Sequence, residues 1–480
     1  MLALGGTARR GVHMVLTFAV VAAAAVAGTA APAAPATAAP AAGQSVGPGP
    51  TAVFSWGWNQ DGENGDGTTD HRATPGPVLG LPSVHGLQVA VKQLASAHNS
   101  QGRAVLLADG TVYTWGFNAF GELGDGTTTE RHTPVLVPGL SGVTQIAQGT
   151  SHMLAAGAGG VVWAWGDNEY GQLGDGTTTS RKSPVPVPGL TGITQLAAGD
   201  YHSLALRSDG TVLSWGRNDY GDLGTGTTTS RTSPGPVPGL TGIIQVAAGG
   251  AASYALRSDG TLFAWGGGIL GNGSNTVNPV PVTVPLAGVT QVTTSGDDTL
   301  AIAGPSHTVY AWGNNFGGEV GNGTQHVQQL IPAQVNLSGV IGVSEGDWSS
   351  AAIRSDGSLF TWGANGLFNL GTGGNPDNQL IPIQVAYLSN VSQVVLGYEG
   401  GLAVGRYDAA TVPSVIGFTQ SEASAALQAA GFALGRVVLV VDLTCEFIGE
   451  VKTQTPAAGT LARLGTAVNV TIGKPGGKCL

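Results

Sequence analysis

Ile193-Thr194-Gln195-Leu196-Ala197-Ala198-Gly199, then His202-Ser203-Leu204-Ala205-Leu206, then Thr211-Val212-Leu213-Ser214-Trp215-Gly216, is the stretch that decides the fold. Apolar and polar residues alternate in short runs that end at glycine, which is the pattern of half-buried strands. Asp209-Gly210 between the second and third runs is a hairpin turn signal. After Trp215 comes a loop, Asn218 to Thr227, and then Pro236-Val237-Pro238 leading to Leu240. That last segment reads as a weaker fourth strand, and its prolines suit an outer edge.

The unit is copied. A strand-like run ends in Trp-Gly at Trp56, Trp115, Trp165, Trp215, Trp265, Trp312 and Trp362, at intervals of 59, 50, 50, 50, 47 and 50 residues. Four short strands repeated at a fixed period are the signature of a β-propeller blade, so these tryptophans read as blade scaffold. The strand that precedes the His-Ser-Leu region also occurs seven times, at Val91, Val143, Ile193, Ile243, Val289, Val340 and Val391. The two series are out of step. Ala52 to Gly57 lacks a preceding partner, and Val391 to Arg406 lacks a following Trp-Gly strand. Joining them predicts an all-β seven-bladed propeller over 51–408, closed by its N-terminal strand, an arrangement that removes two exposed sheet edges.

Trp165-Gly-Asp-Asn-Glu-Tyr-Gly-Gln-Leu-Gly-Asp-Gly-Thr177, together with Ala197 to Leu206, resembles the regulator of chromosome condensation repeat. The resemblance covers about residues 51 to 408 and implies seven blades. Two units depart from it. Trp265-Gly266-Gly267-Gly268 lacks the asparagine and has a shortened loop, and the first unit carries extra residues around His98 to Gly102.

Outside the repeats the composition changes. Arg9 and Arg10, the apolar run Met14 to Ala27 and small-residue sites at Gly28-Thr29-Ala30 or Ala36-Thr37-Ala38 read as an export signal over 1–38. The apolar run is about 14 residues, below the roughly 18 needed for a membrane span. Residues 39–50 read as an Ala/Pro-rich linker. Near the other end, Thr419-Gln420-Ser421-Glu422 is a capping box that predicts a helix through Ala430, stopped by Gly431. Strands are expected at 437–441, 451–453 and 468–472, giving a separate α+β module over 411–474 with a tail at 475–480. Val412-Pro413-Ser414-Val415-Ile416-Gly417 and Gln454-Thr455-Pro456-Ala457-Ala458-Gly459 resemble the PASTA domain. That resemblance implies an extracellular bacterial setting and recognition of peptidoglycan or β-lactams. Cys445 and Cys479 are the chain's two cysteines, and in an exported protein the expected state is a disulfide between them.

Composition and motifs narrow the functions further. Charged residues make up 10% of the chain and the net charge is −10, so no phosphate-neutralising basic face exists for nucleic acid. The glycine loop Gly121 to Gly126 lacks the Lys-Ser/Thr of a phosphate cradle and recurs between blades, which marks it as a turn. Asp66, Asp125 and Asp175 read as turn aspartates rather than calcium ligands. His152 and His202 share one slot, with Ala252, Thr299 and Ser349 assigned to it elsewhere, and no partner pattern suggests zinc or catalysis. No metal or cofactor site and no enzyme activity are expected.

Function should then sit where the copies differ. The expected binding residues are Asp200, Tyr201, Asp297, Asp347 and Trp348, as amphipathic anchors on variable loops. Phe120, Tyr170, Tyr220 and Phe316 recur at one slot and are expected to pack between blades. The leading expectation is a secreted, non-enzymatic binding protein whose propeller face holds an extracellular protein while the PASTA-like module engages the cell wall. A carbohydrate-binding or carbohydrate-active protein is the alternative, because loop aromatics also stack on sugars. The resemblance includes a secreted propeller that inhibits β-lactamases through aromatic loop residues, which defines a narrower version of the first reading. It also includes eukaryotic nuclear exchange factors, which an export signal and an acidic surface disfavour.

Overall fold

A computed structural model describes residues 51–84, 87–373, 377–398 and 400–476. The expected leader and linker, and Cys479 in the tail, lie outside the described residues. Seven four-stranded antiparallel sheets follow one another around the repeat region. Blade 1 consists of Val91–Ala95, Gly102–Leu107, Val112–Gly116 and Arg131–Leu136, and blade 2 of Val143–Gln148, His152–Gly157, Val162–Gly166 and Arg181–Pro186. Blade 3 is Ile193–Ala198, His202–Arg207, Val212–Gly216 and Arg231–Pro236; blade 4 is Ile243–Ala248, Ala252–Arg257, Leu262–Gly266 and Asn278–Thr283. Blade 5 is Val289–Thr294, Asp298–Ala303, Thr308–Gly313 and Gln329–Gln334; blade 6 is Val340–Glu345, Ser349–Arg354, Leu359–Gly363 and Gln379–Gln384.

Blade 7 is composite, as the two half-series predict. Leu388–Gly397 pairs with Gly400–Tyr407, which pairs with Ala52–Gly57, which pairs with Arg72–Pro77. The register runs from Ala52 opposite Gly405 to Gly57 opposite Gly400, so every residue of the N-terminal strand has a partner. The outer strands differ slightly from expectation. In blade 3 the fourth strand is Arg231–Pro236, ending where the sequence reading had begun it, with Pro234 on the sheet edge.

The core lies between blades rather than inside them. Seven apolar clusters each combine residues of two neighbouring blades with one of the seven tryptophans, for example Leu154, Ala164 and Leu196 with Trp215. All seven tryptophans are buried. A buried indole N–H needs an acceptor. In six blades it donates to a loop carbonyl of the preceding blade, from Trp115 to Glu63 at 2.9 Å to Trp56 to Asn369 at 2.8 Å.

Trp312 is the exception, because the loop it would address is the one shortened in blade 4. There the Tyr254 hydroxyl accepts the Trp312 N–H at 3.2 Å and the Thr299 hydroxyl at 3.1 Å. Tyr254→Phe should therefore leave a buried indole unpaired and cost about 1–3 kcal/mol. The check is the midpoint of denaturant unfolding, and an unchanged midpoint would count against this account.

A second device joins the inner strands. Gln93 donates to the Ile146 carbonyl and accepts from the Ile146 N–H. Gln145 does the same with Leu196, Gln195 with Val246 and Gln245 with Val292. Gln393 clamps the seam between blades 7 and 1, accepting from the Leu94 N–H and donating to Val91 and Lys92 carbonyls. Each glutamine thus satisfies backbone groups that the separation of neighbouring sheets would leave unpaired. These inner strands surround a central channel.

The C-terminal module has one helix, Gln420–Ala429, whose Thr419/Glu422 capping box is formed in both directions. It packs Ala423 and Leu427 against Val451, Val468 and Ile472. The sheet orders Ala433–Asp442, Ala467–Pro475 and Val451–Thr455, the first pair parallel and the second antiparallel. Cys445 has a left-handed backbone just beyond the first of these strands. Its expected pairing with Cys479 lies outside the described residues.

Candidate functional site

Strand pairing places the loop after each inner strand and the loop after each Trp-Gly at the same end of the ring. The lip of the channel at this end is formed by one slot per blade, occupied by Thr150, Asp200, Gly250, Gly296, Asp347 and Tyr398. The extra residues of the first unit turn inward and cross the channel here. His98 reaches the axis. Its Nδ1 lies 2.8 Å from Asp200 Oδ1, and its Nε2 lies 3.9 Å from Asp347 Oδ1. Its carbonyl accepts the Thr150 hydroxyl, and a Cβ on Gly296 would collide with its ring.

The neighbours of His98 complete the plug. Asn99 donates its backbone N–H to Asp347 at 2.8 Å, and Ser100 Oγ accepts from Gln148 Nε2 at 2.8 Å. Arg103, fully buried, donates to Ser96 Oγ, to the Ser100 and Gly102 carbonyls, and across the seam to the Tyr398 carbonyl. One loop of blade 1 therefore touches blades 2, 3, 5, 6 and 7. Burial alone would lower the pKa of His98, but the hydrogen bond and charge of Asp200, with Asp347 and Asp297, push it up to about 9. Asp200 is held below its ordinary value despite its burial, by the hydrogen bond and charge of His98. Burial dominates at Asp347, which rises to about 6.

This revises the expected role of two of the predicted binding residues. Asp200 and Asp347 are not exposed acids beside aromatic anchors; Asp347 is buried, Asp200 keeps 14% of its side chain exposed, and both hold the plug. Asp297 is exposed on the rim. Tyr201 is half-buried, its ring 5.2 Å from Tyr170 and 4.6 Å from the guanidinium of Arg217. Trp348 is exposed and leans on Phe316 at 6.2 Å.

The aromatics assigned to packing between blades do so in part and only at the lip of the ring, Tyr170 against Tyr201 and Phe316 against Trp348 of the following blade. Phe120, Tyr220 and Phe316 are 43%, 49% and 48% exposed, comparable with Trp348 at 41%. The backbone beneath them repeats as well. The N–H of Phe120 donates to Glu122, that of Tyr170 to Gln172, that of Tyr220 to Asp222 and that of Gly317, next to Phe316, to Glu319. The same bond is made by Asp61 in blade 7, so it fixes the loop and not the aromatic side chain. The face thus carries aromatics over blades 1, 2, 3, 5 and 6, with Asp61 at the equivalent slot of blade 7 and a gap at blade 4.

Other motif residues serve the turns. Asp125 accepts from the Thr127 N–H and hydroxyl and pairs with Arg131 at 2.7 Å, and Asp175 repeats this with Thr177 and Arg181. Buried Asn118 and Asn168 brace the same loops through both ends of their amides. His152 and His202 contact Ser203 and Ser253 of the next blade at 3.0 and 2.8 Å, and burial pushes them down to about 4 and about 3, so both are neutral. The fifth member of their slot is Asp298, not Thr299. Asp298 lies opposite Gly313 as His202 lies opposite Gly216. The blade 5 hairpin is one residue longer, with His307 in the left-handed region, so counting back from Trp312 slips by one. Burial first, then the charges of Glu319 and Asp297, hold Asp298 well above the carboxylate range. Among the described residues no three His, Cys, Asp or Glu side chains are placed to hold a metal ion.

Gln at the third position of the inner strand in six of seven units is the sequence signal of the clamps. The insertion at His98 is visible in the sequence but its role is not, and nothing local marks Arg217.

The architecture is that of a seven-bladed propeller with a small α+β module. The RCC1-like domain model matches residues 49–345, the regulator of chromosome condensation repeat model matches 356–404, and the PASTA domain model matches 410–474. The chain belongs to the RCC1-like domain family. Human E3 ubiquitin-protein ligase HERC2 is 40% identical over 106 residues, which is 22% of this chain and 2% of that protein. The ultraviolet-B receptor UVR8 of Arabidopsis thaliana is 34% identical over 105 residues, 22% of each. The chain therefore matches only a small part of these relatives. Among solved structures, Prp20p of Saccharomyces cerevisiae, studied with its binding to Gsp1p and histones, superposes with a TM-score of 0.66 at 22% identity, over 76% of this chain and 93% of that one. Human WBSCR16 gives 0.62 at 25% identity, over 74% and 99%.

Proposed function

We propose that this chain is an exported, non-enzymatic binding protein whose plugged propeller face holds a protein partner while the PASTA module retains it at peptidoglycan. The observation that carries the first half is the row of exposed rings, Phe120, Tyr220, Phe316 and Trp348, on one end of a rigid scaffold. Exposed aromatics held by a fixed backbone lose little entropy on binding and are typical interface anchors. The PASTA match supports the second half. A Cys445–Cys479 disulfide fits export, and the expected result of thiol titration in denaturant is no reactive thiol before reduction.

Affinity capture from a culture supernatant, with the chain from residue 39 as bait and a Trp348→Ala/Phe316→Ala bait beside it, tests the face. Retention should fall at least tenfold for the double variant, and equal retention would remove the face from the function. Co-sedimentation with insoluble peptidoglycan should be lost when the chain stops at Asp408. Wall binding that survives this truncation would move the glycan site to the propeller and favour the carbohydrate-binding alternative. Inhibition of class A β-lactamases at micromolar protein is the test of the narrower inhibitor reading.

A further inference from the structure

Arg217 is the side chain whose chemistry the scaffold leaves incomplete. Its guanidinium lies 4.6, 5.6 and 6.0 Å from the ring centroids of Tyr201, Tyr220 and Tyr170. Only 15% of the side chain is exposed, and its Nε is buried without a hydrogen-bond partner. The nearest carboxylate oxygen, Asp222 Oδ1, is 3.9 Å from one terminal nitrogen, beyond hydrogen-bond reach, and that oxygen is itself unpartnered. A guanidinium presents up to five N–H donors in a planar fork. Here a largely desolvated one makes no hydrogen bond to any side chain or carbonyl among the described residues. In Arg131 and Arg181 the same group is bound to a turn aspartate at 2.7 Å; Arg207 and Arg354 also bury an unpartnered Nε, but of these arginines Arg217 is the one that lines a depression.

The surroundings explain where an acceptor could enter. Blade 4 lacks three residues of its loop and the aromatic that goes with them, and the gap is a depression of about 190 Å³ beside Arg217, lined by Gly250, Gly267, Gly268 and Gly296 with Asp297 and the plug. Three of its charged walls are accounted for: His98 and Asp200 neutralise each other at 2.8 Å, and Asp297 sits on the exposed rim. A Cβ placed on Gly268 meets nothing within 4 Å, so the mouth over blade 4 is open.

We propose that this depression is the specificity pocket of the face and that it takes an aspartate or glutamate side chain of the protein partner, gripped by the fork of Arg217. Tyr201 and Tyr170 hold the guanidinium plane in advance, which reduces the ordering cost of a bidentate contact. The glycine lining allows the partner's backbone to approach without a side chain in the way. The inference rests on the proposed protein-binding role of the face and adds the chemistry that role would select.

Saturation-transfer NMR with Nα-acetyl-glutamate amide as probe tests the pocket on the chain from residue 39. The expected signal is at least fivefold stronger than for Nα-acetyl-glutamine amide, falls by the same factor in Arg217→Gln, and is weakened in Arg217→Lys, which keeps the charge but loses the fork. Gly268→Asp, a residue type that tolerates the left-handed backbone found there, should abolish the signal by repulsion with Arg217 intact, and Gly268→Asn should preserve it. Equal signals for the acid and the amide, or a signal indifferent to both Arg217→Gln and Gly268→Asp, would overturn the proposal. A glucuronate signal as strong as that of acetyl-glutamate amide would overturn its assignment to a protein partner. In the supernatant capture, loss in Trp348→Ala/Phe316→Ala but not in Arg217→Gln defeats the pocket and spares the face. Indifference to both sets defeats the face itself.

Discussion

Removal of Thr51 to Gly57 should abolish the cooperative melting of the whole ring, not only of the blade those residues complete. The strand Ala52–Gly57 is the third strand of blade 7, hydrogen-bonded on both sides. Without it Arg72–Pro77 has no partner and Gly400–Tyr407 becomes an open edge. Its side chains matter as much. Val53 packs between blades 7 and 1, and Phe54 and Trp56 between blades 6 and 7. Truncating one buried Trp or Phe costs about 3–5 kcal/mol, against a total stability of about 5–15 kcal/mol for a typical protein. Trp56 also closes a hydrogen bond to Asn369, 313 residues away in sequence. Because every core cluster is shared by two blades, opening one interface exposes apolar surface on both neighbours. The expected calorimetric result is loss of the main transition, partly restored by adding the peptide 51–77 in excess. A deletion variant that melts like the intact chain would refute the closure.

The sequence made this seam legible because both halves of the unit could be counted independently, and the ring follows from their mismatch. The face was less legible, for physical reasons specific to its residues. Asp200 and Asp347 looked like surface acids because their partner, His98, arrives from an insertion about 100 and 250 residues away, and no local pattern encodes that meeting. Tyr170 and Phe316 do pack on the following blade, against Tyr201 and Trp348, but Phe120, Tyr220 and Phe316 stay 43–49% exposed, and recurrence at one slot does not distinguish packing at the lip from burial. Thr299 displaced Asp298 because a single extra hairpin residue shifts the count without disturbing the alternation. Arg217 carried no signal at all, since its meaning lies in the acceptors it lacks.

His98→Ala should weaken the ring in a way that depends on pH in a defined direction. At neutral pH the substitution leaves Asp347 and the largely enclosed Asp200 without their shared cation, a loss below the about 3–5 kcal/mol of a broken, fully buried pair. His98 has a folded-state pKa of about 9 against an ordinary 6.5, so its contribution is complete below 6.5 and disappears as pH rises through 9. Asp200, held below its ordinary 3.8, contributes above that value and loses its contribution in stronger acid. Asp347, raised to about 6, acts in the opposite sense and costs stability as the pH climbs from 3.8 through 6. The gap between wild-type and His98→Ala in denaturant unfolding should therefore be widest between about pH 5 and 7.5 and close towards pH 10. His152 and His202, buried and neutral in both proteins, destabilise each below pH 6.5 and cancel in the difference. An Asp200→Asn/His98→Ala double variant should lose less than the sum of the single losses, because the two groups share one interaction. A gap that stays constant from pH 5 to 10 would mean that His98 fills the channel by shape alone, and the assignment of the acids to the plug would lose its electrostatic basis.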